Sequence, residues 1–122
     1  VSRIDHGVRC VDDPQLVARL VEQKVHLTIC PLSNTKLKVF DSMDQHNIVD
    51  LLRQGVSVGI NADDPAYFGG YMNDNFNAVA SAHTLSHKEL ANFTYNAIDA
   101  SFCSVGRKYE LHQQLQAYVD NQ

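Results

Sequence analysis

Long hydrophobic runs are missing from this sequence. No stretch approaches the roughly 20 consecutive apolar residues that span a bilayer. The first residues also lack the basic and apolar regions of a signal peptide. The sequence therefore predicts no membrane partner.

Runs of like charge are missing as well. The formal net charge is −4, and the acidic and basic residues are interspersed along the whole chain without forming a basic stripe or tail. Since nucleic acids and anionic lipids are bound through clustered positive charge, neither is an expected partner.

The sequence also lacks paired cysteines. Cys10, Cys30 and Cys103 are odd in number, widely separated and outside any CxxC spacing. This pattern favours neither a disulfide framework nor a thiolate zinc site. It is typical of a reducing compartment, and we expect a cytoplasmic protein.

The chain has enough apolar residues for one compact unit. It comprises 122 residues, of which 44% are hydrophobic, too many for a disordered segment. It begins at Val1, inside an apolar segment rich in reactive side chains, and we expect a single segment, 1–122, of a longer protein.

Strands alternate with helices over about residues 1–72. Apolar runs predict strands at 1–6, 26–30 and 56–60, and helical periodicity predicts one helix after Pro14 and another around Ile48 that ends near Gly55. A polar loop is expected through Asn34. Because strands separated by helices pair in parallel, the fold class is α/β.

The remainder, about residues 73–122, predicts a helical tail. A loop at 66–71 precedes three expected helices, at 73–83, 86–98 and 105–119. Ser86 and Glu89 have the spacing of a capping box at the start of the middle helix.

Polar side chains follow each predicted strand at its carboxyl end. Because those ends meet at one edge of a parallel sheet, where ligands bind, the following residues are candidates for a site: Asp5, His6, Cys30, Ser33, Asn34, Asn61, Asp63 and Asp64.

Two interpretations are open for these residues. The adjacent carboxylates Asp63 and Asp64 could share a bound cation, but taken alone the triplet Asp63-Asp64-Pro65 is more typical of a turn capped by Asp64, with Asp63 facing water. His6 could be catalytic or structural. Cys30, between an apolar strand and Pro31, predicts a buried, inert thiol.

The other histidines do not have the spacing of metal ligands. They form no HxH or HExxH motif, and we assign no chemistry to His26, His46, His83, His87 and His112.

Three motifs occur in an order that resembles the adenosine/adenine deaminase family of metal-dependent hydrolases: Arg3-Ile4-Asp5-His6-Gly7, then Cys30-Pro31-Leu32-Ser33-Asn34, then Asn61-Ala62-Asp63-Asp64-Pro65. The resemblance covers essentially the whole chain. Asp5 stands where adenosine deaminases typically carry glycine, and the loop 64–71 looks more like the microbial adenine deaminase branch.

The resemblance implies a TIM-like (β/α)8 barrel, of which this chain would be the carboxy-terminal portion, strands six to eight with the closing helices. It implies one Zn²⁺ ion and a small-molecule purine substrate. By resemblance, Asp63 is the metal ligand, His6 the catalytic residue that hydrogen-bonds the zinc-bound water, and Asp64 binds a ring nitrogen of the purine.

The implied reaction is hydrolytic deamination of an aminopurine, with adenine to hypoxanthine favoured. The family's HxH pair, third histidine ligand and glutamate proton donor have no counterpart here. Because catalytic zinc needs about three protein ligands, we expect the isolated chain to be inactive. Adenosine or adenosine-monophosphate deamination is one alternative. A non-catalytic α/β remnant or association module is another. We also expect self-association through unpaired strand edges.

Overall fold

The computed structural model describes all of residues 1–122, and three parallel strands form its centre. Strands β1 (Arg3–Asp5), β2 (His26–Ile29) and β3 (Val58–Ile60) lie side by side in the order β1-β2-β3. Asp5 pairs with Thr28, and Ile29 pairs with Ile60. The α/β class with a parallel sheet is confirmed, and each strand is shorter than the apolar run that predicted it.

Helices make the two crossovers between the strands. Helix α1 (Pro14–Glu22) joins β1 to β2, and α2 (Pro31–Lys36) and α3 (Ile48–Arg53) lie between β2 and β3. Asp13 caps α1 as its Oδ1 accepts hydrogen bonds from two backbone amides, and Pro14 occupies the first helical position. Two 3-10 turns, Val8–Asp12 and Met43–Gln45, complete the connections.

The tail consists of helices α4 (Pro65–Phe68), α5 (Met72–Ala82), α6 (His87–Ala100) and α7 (Val105–Asp120). The predicted capping box is present: the Ser86 hydroxyl accepts from the Glu89 amide at 3.2 Å, and the Glu89 carboxylate accepts from the Ser86 amide at 2.9 Å. None of these helices is both long enough and apolar enough to cross a membrane.

The polar loop expected through Asn34 is wrong, because α2 is helical from Pro31 onward. The backbone amide of Leu32, which lies in the first turn and has no partner within the helix, donates to Asn75 Oδ1 at 3.0 Å. Asn75 lies on α5, 43 positions along the chain. A distant side chain thus adds to the local signal of Pro31, which occupies the first position of this helix. The loop at 66–71 likewise contains the single turn of α4.

The core lies between the sheet and the helices packed against it. Fourteen buried apolar residues form one cluster that includes Leu27, Ile29, Val58 and Phe93, all fully buried. In contrast, all three residues of β1 are exposed. Strand β1 is therefore an uncovered edge of the sheet, and its carboxyl end leads directly into His6.

Candidate functional site

The carboxyl ends of the three strands meet, as the sequence predicts. The His6 amide donates to Thr28 O at 3.0 Å, and the Asn61 amide donates to Ile29 O at 2.8 Å, so both residues extend the ladder just beyond their strands. Cys30 follows β2 at the same level. This end of the sheet is the candidate site.

His6, Cys30 and Asp63 come together there. One potential metal-binding atom from each lies within 4.8 Å of the others. His6 Nε2 is 3.8 Å from Asp63 Oδ2, and these side chains are 42% and 30% exposed, so both are accessible from solvent. Histidine nitrogen, carboxylate oxygen and thiolate sulfur are the donors that zinc prefers. The donor set therefore fits part of a zinc coordination sphere.

The backbone conformation at His6 and Asp63 directs both side chains toward the site. His6 and Asp63 both have a φ of 58°, in the left-handed region that non-glycine residues rarely occupy. Such conformations cost on the order of 1–3 kcal/mol each and cluster at functional sites. Gly7, which follows His6, is also left-handed, with a φ of 77°. Its Cβ, were one present, would lie 2.8 Å from Leu27 Cδ2, so alanine would be both strained and crowded.

Cys30 is a buried thiol, 6% exposed. Burial, together with the negative charges of Asp63 and Asp5, raises its pKa to about 11. Its Sγ donates to the Thr28 carbonyl at 3.6 Å. The thiol is thus buried and protonated at neutral pH, as the sequence predicts for Cys30.

Asp64 follows Asp63 in the chain and caps helix α4. Its Oδ1 accepts from the Tyr67 amide at 3.0 Å and caps α4, and its Oδ2 has no hydrogen-bond partner within the chain. The helix-cap interpretation of Asp64-Pro65 is thus correct, and it still leaves one carboxylate oxygen for another contact. Asp5 accepts from Thr28 Oγ1 at 3.0 Å.

Two residues behind His6 complete the site. Asn34 Nδ2 is 3.4 Å from His6 Nδ1, and Asn34 Oδ1 is 3.0 Å from His46 Nε2. Sequence reasoning included Asn34 among the polar residues that follow β2 but gave His46 no chemistry. His46 belongs to no motif and reaches the site only through the fold, so spacing offers no signal for it.

The histidines of the tail stay apart from the site. His83 Nε2 bonds the Met43 carbonyl at 2.9 Å, and His112 Nε2 is 2.7 Å from Asp99 Oδ1. His26 lies at the opposite end of β2, where its Nδ1 is 2.8 Å from Ser57 Oγ.

The three motifs and their convergence define a class of protein. The family model for adenosine deaminase matches residues 1–118, and the chain belongs to this family.

Its relatives narrow the comparison to a branch of the family. An adenine deaminase from Vibrio parahaemolyticus is 61% identical over 119 residues, which are 98% of this chain and 35% of that protein. An adenine deaminase from Hahella chejuensis is 50% identical over 121 residues, 99% of this chain and 36% of that protein. The chain spans about a third of the length of these relatives and matches the microbial adenine deaminase branch.

Solved structures share the fold. The crystal structure of an adenine deaminase from Arthrobacter aurescens superposes with a TM-score of 0.96 and 43% identity, covering 98% of this chain and 37% of that one. An amidohydrolase from Burkholderia ambifaria with bound Zn gives a TM-score of 0.87 at 24% identity, covering 98% of this chain and 34% of that one.

Proposed function

We propose that the full-length protein is a zinc-dependent adenine deaminase, which hydrolyses adenine to hypoxanthine. The observation that carries this proposal is the meeting of His6 and Asp63 at the carboxyl end of the sheet, at 3.8 Å and open to solvent. The adenine deaminases among the relatives favour the free base as substrate over adenosine or adenosine monophosphate.

We propose that this chain is the carboxy-terminal portion of a (β/α)8 barrel. Its three strands would be the sixth, seventh and eighth of the barrel, followed by the closing helices. Residues 1–122 form one segment, with strand and helix units over about 1–72 and a helical tail over about 73–122. The parallel sheet with its site at the carboxyl ends of the strands supports this assignment, because ligands of such barrels bind at that face.

Asp63, His6 and Asp64 would each have a different role in the reaction. Asp63 would hold the zinc ion, which when bound supplies a nucleophile by lowering the pKa of water from 15.7 toward about 7. His6 would contact the attacking water and stabilise the charge that develops on its oxygen. Asp64 would use the oxygen that does not cap α4 to bind a ring nitrogen of the purine. The other zinc ligands and a proton donor would come from outside these 122 residues.

Substrate choice tests the proposal. The full-length, zinc-loaded protein should deaminate adenine with a higher kcat/KM than adenosine or adenosine monophosphate. A preference for either of the two larger substrates would contradict the adenine assignment and favour a sister deaminase. Absence of turnover on all three would favour a non-catalytic module.

We also propose that the isolated chain associates with a second copy of itself. The outer edge of β1 is unpaired and its residues are exposed. Ile4 of β1 lines one groove together with the exposed apolar side chains of Leu16, Leu37 and Val39. Unpaired edges of this kind recruit other strands.

A further inference from the structure

An unbroken series of hydrogen bonds runs from a backbone amide to His6. The Ile48 amide donates to His46 Nδ1 at 3.1 Å, His46 Nε2 is 3.0 Å from Asn34 Oδ1, and Asn34 Nδ2 is 3.4 Å from His6 Nδ1. The series ends at His6 Nε2, which faces Asp63. It connects a helix start at residue 48 with the candidate site.

The direction of every bond in this series follows from its first member. A backbone amide can only donate, so His46 Nδ1 carries no proton and its Nε2 does. That N–H requires the oxygen of Asn34, which turns the amide nitrogen of Asn34 toward His6. The nitrogen donates, so His6 Nδ1 accepts. The proton of neutral His6 therefore resides on Nε2, the atom that faces the site.

The interior members of the series are buried and uncharged. Asn34 is 3% exposed and His46 is 1% exposed. The Phe40 ring lies against the His46 ring, with centroids 4.3 Å apart. Burial, with a smaller coulombic effect of His83, lowers the pKa of His46 to about 4, so the His46 ring is neutral at neutral pH.

The geometry points to Asn34 and His46 as positioning residues that hold His6 in its Nε2–H tautomer, so that His6 acts as a hydrogen-bond donor toward the oxygen of the attacking water. This inference rests on the proposed function, because it specifies how His6 would serve that reaction. It assigns His6 no general-base step, since its Nδ1 is occupied by Asn34 and its Nε2 already carries a proton.

The substitution Asn34→Asp reverses the bond to His6 with little change of shape. The introduced carboxylate still accepts from His46 Nε2, but it can only accept from His6 as well, so it moves the His6 proton to Nδ1. We expect the full-length, zinc-loaded variant to keep its zinc and its KM for adenine. Its kcat should fall about 10- to 100-fold, the usual effect of removing a partner that orients an active-site group.

Imidazole ¹⁵N chemical shifts supply a readout that is independent of activity. In the wild-type protein the His6 shifts should report a protonated Nε2 and a bare Nδ1, and in Asn34→Asp a protonated Nδ1. Ser57→Ala is the matched control, because it removes the partner of the equally buried His26 at the far end of β2. It should leave the His6 shifts and kcat unchanged.

A second pair of variants covers the case in which Asn34→Asp fails to fold. His46→Gln retains an N–H donor for Asn34 and should preserve most of kcat, whereas His46→Leu removes the donor and should lower kcat at constant KM. Wild-type His6 with its proton on Nδ1, or Asn34→Asp with unchanged shifts and kcat, would overturn the inference. Adenine turnover by the wild-type protein tests the proposed function separately.

Discussion

His6 and Asp63 face each other across the ends of two strands that are not neighbours in the sheet. Their Nε2 and Oδ2 atoms are 3.8 Å apart, a distance longer than a hydrogen bond, and both residues have a φ of 58°. In the proposed reaction Asp63 would hold the zinc ion and His6 would contact the attacking water, so the two side chains face the same reacting group.

The isolated chain should bind zinc weakly and deaminate neither adenine nor adenosine. Asp63 is its only proposed zinc ligand, and a catalytic site needs about three protein ligands. Metal analysis after dialysis against a chelator checks the first expectation, and a spectrophotometric deaminase assay checks the second. Stoichiometric zinc that survives the chelator would contradict this prediction, as would turnover that Asp63→Ala abolishes.

Asp64→Asn in the full-length protein should separate the two roles of this side chain. The amide oxygen can still accept from the Tyr67 amide, so α4 keeps its cap and the protein its zinc. Loss of the negative charge toward the purine should lower activity about 10²- to 10³-fold, the effect of removing one preorganised polar contact. Kinetics and metal analysis on one preparation measure both. Activity close to wild type would exclude Asp64 from substrate binding.

Much of the architecture was predictable because it depends on local signals. Proline after Asp13 starts α1, the Ser86 and Glu89 pair starts α6, and alternation of strands with helices implies a parallel sheet. The edge at which the polar residues gather follows from that topology alone. These features need no knowledge of contacts between distant residues.

The features that sequence reasoning missed depend in part on distant contacts. Helix α2 forms where a loop was expected: Pro31 in its first turn is a local signal, and the distant Asn75 adds a hydrogen bond by accepting from the Leu32 amide. His46 reaches the site through Asn34, and its buried ring lies against the Phe40 ring. Neither contact leaves a periodic or spaced pattern in the sequence.

The free energy of unfolding of the chain should fall on acidification between pH 6.5 and pH 4. Burial, with the nearby charge of Arg3, lowers the pKa of His26 from 6.5 to about 4. The unfolded chain therefore binds more protons in that window, and stability rises with pH across it. The full difference for one such histidine is on the order of 3 kcal/mol.

Urea unfolding at pH 7 and pH 4.5, at a fixed protein concentration, measures this dependence. His26→Gln removes the titrating group while keeping a polar side chain for Ser57 Oγ. It should lose less stability than the wild-type chain on going to pH 4.5. Equal losses in the two proteins would show that His26 is not held neutral by the fold.

Self-association of the isolated chain should increase with concentration. Light scattering in the micromolar range and above measures it directly, and Ile4→Lys, which places a charge on the exposed edge strand, should reduce it. A stable monomer well above micromolar concentration would contradict the prediction. In the full-length protein we expect this edge to be covered, so the same substitution there should impair folding.

The measurement that tests the account most directly is zinc content and adenine turnover of full-length Asp63→Ala, determined on the same samples as the wild-type protein. Removing one of few ligands takes both charge and geometry from the site, so the variant should lose its zinc and its activity together. A variant that remains fully loaded with zinc and fully active would show that the end of β3 is not the metal site.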